Sequence, residues 1–402
     1  MTVAWKMLLW LLIAQIMVAF VGRSLAPLTI LIGADLSLSN VQIGMIPAAL
    51  FLGQSLVAIP SGVLVDRIGS KKQLLATTIC LSVSFGMIAL SSHFYLLLFA
   101  IAIGGGAYVA MHPTTNRGIL YWFPQRRRGL AMGIKQMGIT VGAALAALIL
   151  LPLANDHGWR PVLIISSVIL AFIGVTTTYY YRDPVIIEDK QSSLEKKTTI
   201  TEQLKKVLQN KPLLLISMSA MGLQGAQLCL TTYIVIFAYG KLAFPLIMAG
   251  LLLVLAEIGG SIGRVAWGVI SDTFFKGERM KIMLIVTVLT ALCALSFSVL
   301  TVKTPLIVII ISVLLFGFCI SGYNGIWMNI VTELVPKEKS GLATGITITI
   351  SSWGVIFIPP LFGYIVDKSG FSSGWIFLVV LMSGVFILLK RTAKNFHEYL
   401  AP

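Results

Sequence analysis

Runs of about twenty apolar residues recur along nearly the whole 402-residue chain, separated by short polar stretches. A bilayer core needs about that many residues in a helix. Twelve runs qualify, near 7–32, 43–65, 73–91, 94–122, 129–153, 161–181, 212–238, 245–270, 282–300, 305–331, 341–365 and 374–390. The pattern predicts an all-α membrane protein with twelve transmembrane helices. Most connections are short, which makes successive helices antiparallel neighbours. The exception is the hydrophilic stretch 182–211 between the sixth and seventh runs. The expected organisation is an N-terminal six-helix bundle (1–181), a cytoplasmic linker loop (182–211) and a C-terminal six-helix bundle with a short cytoplasmic tail (212–402). The first run does not read as a cleaved leader: it is too long, contains Arg23 and has no convincing small-residue cleavage site.

Composition agrees. The chain is 57% apolar and 11% charged, against roughly 25% charged in soluble chains, which excludes disorder, collagen, disulfide scaffolds and most cytosolic enzymes. A formal charge of +15 raises the question of nucleic acid, and the placement of the basic residues answers it. With the N-terminus inside, twenty-two of the thirty lysines and arginines fall in inner loops and tails, while only Arg160, Lys241, Lys303 and Lys368 lie outside. That asymmetry is membrane topology. It implies a multi-pass protein of the plasma (cytoplasmic) membrane with both termini cytoplasmic, anionic inner-leaflet lipid as partner and no nucleic acid. Cys80, Cys229, Cys293 and Cys319 each stand alone in an apolar run and read as small core residues.

The two halves repeat. Gly62-Val63-Leu64-Val65-Asp66 follows the second run and Gly268-Val269-Ile270-Ser271-Asp272 the eighth, an offset of 206. Pro124 with Gly129-Leu130-Ala131-Met132-Gly133-Ile134 matches Pro336 with Gly341-Leu342-Ala343-Thr344-Gly345-Ile346 at an offset of 212. Gly158-Trp159 and Gly374-Trp375, offset 216, open the sixth and twelfth runs. Three matches in the same order indicate duplication.

The stretch Gly62-Val63-Leu64-Val65-Asp66-Arg67-Ile68-Gly69-Ser70-Lys71-Lys72 resembles the signature loop of the major facilitator superfamily. With the twelve runs and the repeat, the resemblance covers almost the whole chain. It implies two bundles that rock about a central site, opening alternately to each side. It also implies a conformational latch of Gly62, Asp66, Arg67, Gly69 and Asp272. Gly62 would admit close helix approach. Asp66 would face the positive end of a helix at 340–342, and Asp272 would do the same against Gly129. The plainer reading is that these residues only fix loop topology.

His112-Pro113-Thr114-Thr115-Asn116-Arg117, followed by Trp122-Phe123-Pro124, resembles the anion:cation symporter branch, which moves organic anions such as sugar acids. Nitrate-type and monocarboxylate carriers share the pattern. The resemblance puts Arg23 at that branch's substrate-contacting arginine. The branch typically carries an acidic residue just before it, and this chain has Gly22.

Histidine aside, five ionisable residues sit within the apolar runs: Arg23, Arg117, Lys135, Glu257 and Arg264. Each costs about 2.5–3.5 kcal/mol at a helix centre, so each needs a reason. Four are positive and one negative, and a cavity with surplus positive charge favours an anion. Arg23 lies roughly 24 Å into its helix and reads as a substrate contact or a snorkelling side chain. Arg117, near the inner end, reads as a substrate or gate residue or as a headgroup contact. Lys135 faces either the cavity or a lipid phosphate, with Gly138 and Gly142 on its side packing against another helix. Glu257 and Arg264, seven apart, share a helix face; they form an ion pair, or Glu257 carries the proton. His112 is the rival proton carrier, or it satisfies the backbone beside Pro113. Gln224, Gln227 and Thr231, then Tyr323, Asn324 and Trp327, and Gln15 and Gln54, either line the cavity or make interhelical hydrogen bonds worth about 0.6 kcal/mol each. In the linker, Leu204, Val207 and Leu208 among Lys205, Lys206 and Lys211 form either a helix on the leaflet or a solvated segment.

No HExxH, GxSxG, Walker loop or metal-spaced His/Cys cluster occurs, so no enzyme, cofactor, metal or ATP drive is expected. Gly104-Gly105-Gly106 reads as helix packing. The expected protein is a monomeric secondary active transporter for a small organic carboxylate or inorganic anion, by proton-coupled symport. The substrate contacts would be Arg23, Arg117, Lys135, Arg264, Gln227, Tyr323 and Asn324. Proton-independent anion exchange and proton-antiport efflux of a drug-like compound are the rivals.

Overall fold

A computed structural model describes residues 3–183, 210–276, 278–334 and 340–400, and every element among them is helical. In the first half these are α1 (Val3–Gly22), α2 (Leu25–Asp35), α3 (Asn40–Leu90), α4 (Phe94–Trp122), α5 (Gln125–Leu145), a π-turn (Ala146–Leu150), α6 (Leu151–His157) and α7 (Trp159–Tyr180). In the second they are α8 (Lys211–Gly240), α9 (Leu246–Phe274), α10 (Arg279–Val299), α11 (Leu306–Glu333) and α12 (Ser340–Leu400). The linker residues Leu204 to Leu208, and the side chains at 340–342 and Gly129, lie outside the described residues.

Among the described residues ten stretches are long and apolar enough to cross a membrane, and two of them, of 51 and 48 residues, have double length. At 1.5 Å per residue a 51-residue helix would run about 76 Å, more than two bilayer cores. Each is broken by one glycine: Gly69 (φ 85°, ψ 163°) in α3 and Gly370 (φ 78°, ψ 170°) in α12. This region of backbone space is open essentially only to glycine, so each long element is two crossings and the described residues make twelve. Gly158 (φ 83°, ψ 151°) makes the same break between α6 and α7. Gly158 and Gly370 are 212 apart, the offset of the Gly129 and Gly341 motifs. The third sequence match is thereby corrected: Gly374-Trp375 lies one turn inside its helix, and the true counterpart of Gly158 is Gly370.

The first crossing is interrupted. Pro27 has no N–H to give the Arg23 carbonyl, and its ring crowds that turn. The helix lapses at Arg23 and Ser24, where the Ser24 hydroxyl donates to the Val21 carbonyl (2.6 Å). Ser24 keeps helical angles (φ −64°, ψ −26°), and Arg23 N–H still donates to the Ala19 carbonyl (2.9 Å), so only the hydrogen-bond ladder is interrupted beside Arg23. Pro152, at the start of α6, accompanies the π-turn in the fifth crossing for the same reason.

Contacts group the chain into two compact units, Met1–Ile186 with Phe244–Val254, and Ile187–Ala243 with Leu255–Pro402. In the first, α3 and α4 meet backbone to backbone: a Cβ on Gly53 would strike the Ala102 carbonyl, and one on Gly105 the Leu50 carbonyl. Buried Leu28, Leu81, Phe85 and Ile101 fill the core around them. In the second, Gly259 faces the Leu314 carbonyl and Gly317 the Ala256 carbonyl in the same way. Phe237, Phe297, Phe316 and Phe362 surround Trp375, which is fully buried. The close-approach role expected of Gly62 is not found, since no described atom lies within 4 Å of a Cβ built there. The four cysteines are free, with Cys229 and Cys319 buried, Cys293 half-buried and Cys80 exposed.

Candidate functional site

Within the first unit two cations of the apolar runs, Arg23 and Lys135, meet one stripe of α4. Tyr108, His112 and Asn116 recur every fourth residue and so share a face. At one end stands Arg23, whose Nε donates to the Tyr108 hydroxyl (3.4 Å), with Cζ 5.7 Å from the ring centroid. The same ring fills the space beside Gly22: a Cβ there would lie 2.8 Å from Tyr108 Cε2 and closer still to Cδ2. A carboxylate at position 22 is incompatible with this ring placement.

At the other end Lys135 Nζ donates to Asn116 Oδ1 (3.0 Å). Gly138 and Gly142 put it there. A Cβ on Gly142 would strike the Ile16 carbonyl, so α5 lies hard against α1 and carries Lys135 into the unit. Lys135 is 1% exposed, which removes the lipid-phosphate reading. Between the poles, the His112 ring meets Tyr108 edge to face at 6.2 Å, and Arg23 and Lys135 both act on it electrostatically. The carbonyls of Ala110 and Met111 beside Pro113 accept hydroxyl protons from Thr114 and Thr115 at 2.6 and 2.8 Å. Pro113 leaves the carbonyl of Val109, four positions back, without its helical N–H. The carboxylates of residues 3–183 are Asp35, Asp66, Asp156 and Asp183, all at the ends of crossings or beyond.

Arg117 belongs to a different group. Its Nε is 3.7 Å from Asp66 Oδ1 and its Cζ is 5.1 Å from the Tyr121 ring centroid. The Asp66 side chain is 77% exposed and that of Arg117 only 12%. Beside them Asp183 Oδ2 accepts from the Lys71 N–H (3.0 Å), against the break at Gly69. A cleft of about 750 Å³ opens here, bordered by Ile59, Gly62, Asp66, Asn116, Arg117 and Tyr121. Arg67 is exposed.

The second unit presents mostly neutral groups. Asn324 Nδ2 donates to Gln227 Oε1 (3.4 Å) and to the Ser321 carbonyl (3.1 Å), joining α8 to α11. The Tyr323 hydroxyl, Trp327 Nε1 and Gln224 Oε1 are buried without a partner among the described residues. Thr231 turns back on its own helix toward the Gln227 carbonyl. Arg264 is exposed, and its Nε donates to the Ser321 carbonyl (3.4 Å). Glu257 is half-buried, and no ion pair joins it to Arg264 among the described residues. Asp272 is exposed. Gln15 is buried as expected, but Gln54 is only half-buried. Tyr108 was not singled out from the sequence; its recurrence with His112 and Asn116 at intervals of four was the available signal.

A family model described as Major Facilitator Superfamily matches residues 11–352 and 277–398. The probable galactarate/D-glucarate transporter GudP of Bacillus subtilis strain 168 is 26% identical, over 85% of this chain and 80% of its own. The hexuronate transporter of the same strain is 22% identical over 85% and 82%. The crystal structure of the nucleoside transporter NupG superposes with a TM-score of 0.78 at 16% identity, over 96% of this chain and 98% of that one. This last likeness concerns the fold.

Proposed function

The chain belongs to the Major Facilitator Superfamily, and from that premise we propose that it is a secondary active carrier of a small organic anion, taken up with protons by alternating access. One observation carries the anion reading: Lys135 is buried, with the neutral Asn116 amide accepting from it, in a unit whose carboxylates lie at or beyond the ends of crossings. A buried ammonium is costly without a counter-charge, and a bound anion supplies one. The relatives that move galactarate, glucarate and hexuronate support a sugar acid. Arg23 and Lys135 are the candidate anion contacts of the first unit, and Gln227, Tyr323, Asn324 and Arg264 those of the second, each taken within its own unit. Glu257, the sole carboxylate inside the apolar runs, or His112 would carry the proton. Arg117 would act with Asp66, Arg67, Gly69, Gly62 and Asp272 as the conformational latch. The basic inner loops support a plasma-membrane carrier with both termini cytoplasmic, and we take it as a monomer.

Proton-independent anion exchange is the second reading, and the Tyr108 ring against Gly22 favours it, because that ring occupies the space a carboxylate at position 22 would need. Liposomes enclosing a pH-sensitive dye separate the two. Addition of a sugar acid is expected to acidify the interior. Anion counterflow without a pH change means exchange, and alkalinisation on adding a lipophilic cation would overturn the anion reading. Arg23→Ala is expected to weaken anion binding by about tenfold to a hundredfold in protein that still elutes as folded. Glu257→Gln is expected to keep counterflow and lose acidification.

A further inference from the structure

The α4 stripe has two cationic poles. Arg23 meets Tyr108 at one, Lys135 meets Asn116 at the other, and Tyr108 and Asn116 are eight residues apart, a rise of roughly 12 Å. The second pole is built to act through an amide. An ammonium only donates, so its bond to Asn116 Oδ1 turns the Asn116 NH₂ away from Lys135. Asn116 is half-buried and borders the 750 Å³ cleft, and its NH₂ has no acceptor among the described residues. The amide thus carries the polarity of a buried cation to a surface that a ligand can reach. An anion charged at one end matches one pole. An anion charged at both ends matches two.

We propose that the substrate is a dicarboxylate, with one carboxylate at Arg23 and the other at the Asn116 amide, and that Lys135 is the positioning residue that sets the preference for two charged ends over one. This rests on the anion reading above and goes beyond it in naming the valence. The spacing asks for a chain between the two carboxylates, and the polar His112 face between the poles suits a hydroxylated one. Arg117 does not compete for the second carboxylate, since Asp66 already lies against it.

The test uses full-length protein in liposomes and carboxylates matched in carbon number: glucarate with gluconate, and succinate with butyrate. Half-saturation is read from counterflow. The wild-type protein is expected to favour the dicarboxylate of at least one pair by about tenfold, the scale of one charge-assisted contact. Lys135→Met should weaken dicarboxylates about tenfold more than monocarboxylates and so erase the preference, while Lys135→Arg should retain it. A merely structural lysine would lower transport of both kinds equally, and that result overturns the proposal. Should Lys135→Met fail to fold, Asn116→Ala is read in the same way. Wild-type preference for monocarboxylates defeats the proposal and leaves the anion reading standing; transport of neither kind defeats both.

Discussion

Gly22 and Tyr108 are one feature, although 86 positions separate them. The tyrosine ring lies on the bare α-carbon, and from there its hydroxyl accepts from Arg23. Arg23 is thereby steadied by a phenol where the resemblance to anion:cation symporters anticipates a neighbouring carboxylate. Restoring an acid at this position should be costly for a steric reason. Gly22→Asp is expected to lower stability by about 1–3 kcal/mol, the range for overfilling a packed site. Tyr108→Ala should recover much of that loss, because the two changes act on one volume and cannot be additive. Thermal unfolding of both single variants and the double variant in one detergent measures the coupling. Strict additivity would mean that the ring and the α-carbon do not meet. Lys135 carries a related lesson. Its charge was legible in the sequence and its surroundings were not, since a lysine near the inner end of a helix suits headgroups and a cavity equally well. Burial against Asn116, forced by the glycines one and two turns along α5, decides for the interior.

At the scale of helices the apolar runs were readable because a bilayer imposes one length on every crossing. The run expected at 94–122 coincides with α4, and the others agree to within a few residues at most ends. What composition cannot convey is rotation about the helix axis, which determines the residues that touch a neighbour. The glycines show the difference. Gly62 stands in the signature loop and is the natural candidate for close packing, yet no described atom lies within 4 Å of a Cβ built on it. Gly53 and Gly105 lie outside the signature stretch and press onto the Ala102 and Leu50 carbonyls. Breaks inside a crossing were equally hidden: Pro27 reads as one apolar residue among many until its missing N–H is matched to the Arg23 carbonyl four positions back. The contrast is measurable. Gly105→Val must push α3 from α4 and is expected to cost about 3 kcal/mol or more. Gly62→Ala should be neutral or gain up to about 1 kcal/mol, the helix-propensity difference. Equal losses in thermal unfolding would refute the packing assignment.

Across the molecule the duplication has preserved backbone contacts and changed their chemistry. The pairs Gly53 with Ala102 and Gly259 with Leu314 keep the offsets 206 and 212, as do Leu50 with Gly105 and Ala256 with Gly317. The same offsets carry Arg23 to Cys229, His112 to Asn324 and Lys135 to Thr347, so the three ionisable groups of the α4 site have neutral counterparts. The ends of the units opposite the Gly69 break show the same divergence. In the first, Arg160 donates to Asp35 and to the Ser91 carbonyl (3.0 Å), tying α7 to the ends of α2 and α3. In the second, Lys241 donates to Ser372 Oγ (2.6 Å), which in turn donates to the Ser298 carbonyl (2.7 Å). Asp35 and Lys241 are 206 apart, Arg160 and Ser372 212, so one staple has kept its geometry while the charge at its first position reversed. Packing is then the inherited property, and the polar groups facing a solute are the part free to specialise. The staples should therefore affect stability alone. Arg160 and Asp35 are each about a third or more exposed, so Arg160→Ala is expected to cost only about 1 kcal/mol. Lys241→Ala should cost a similar amount. The two share no partner, so the double variant should add their losses to within about 0.5 kcal/mol. Anion affinity in counterflow should stay within about twofold for all three variants. A larger fall in affinity at unchanged turnover would bring these helix ends into the binding site and break the division between a conserved scaffold and a specialised cavity.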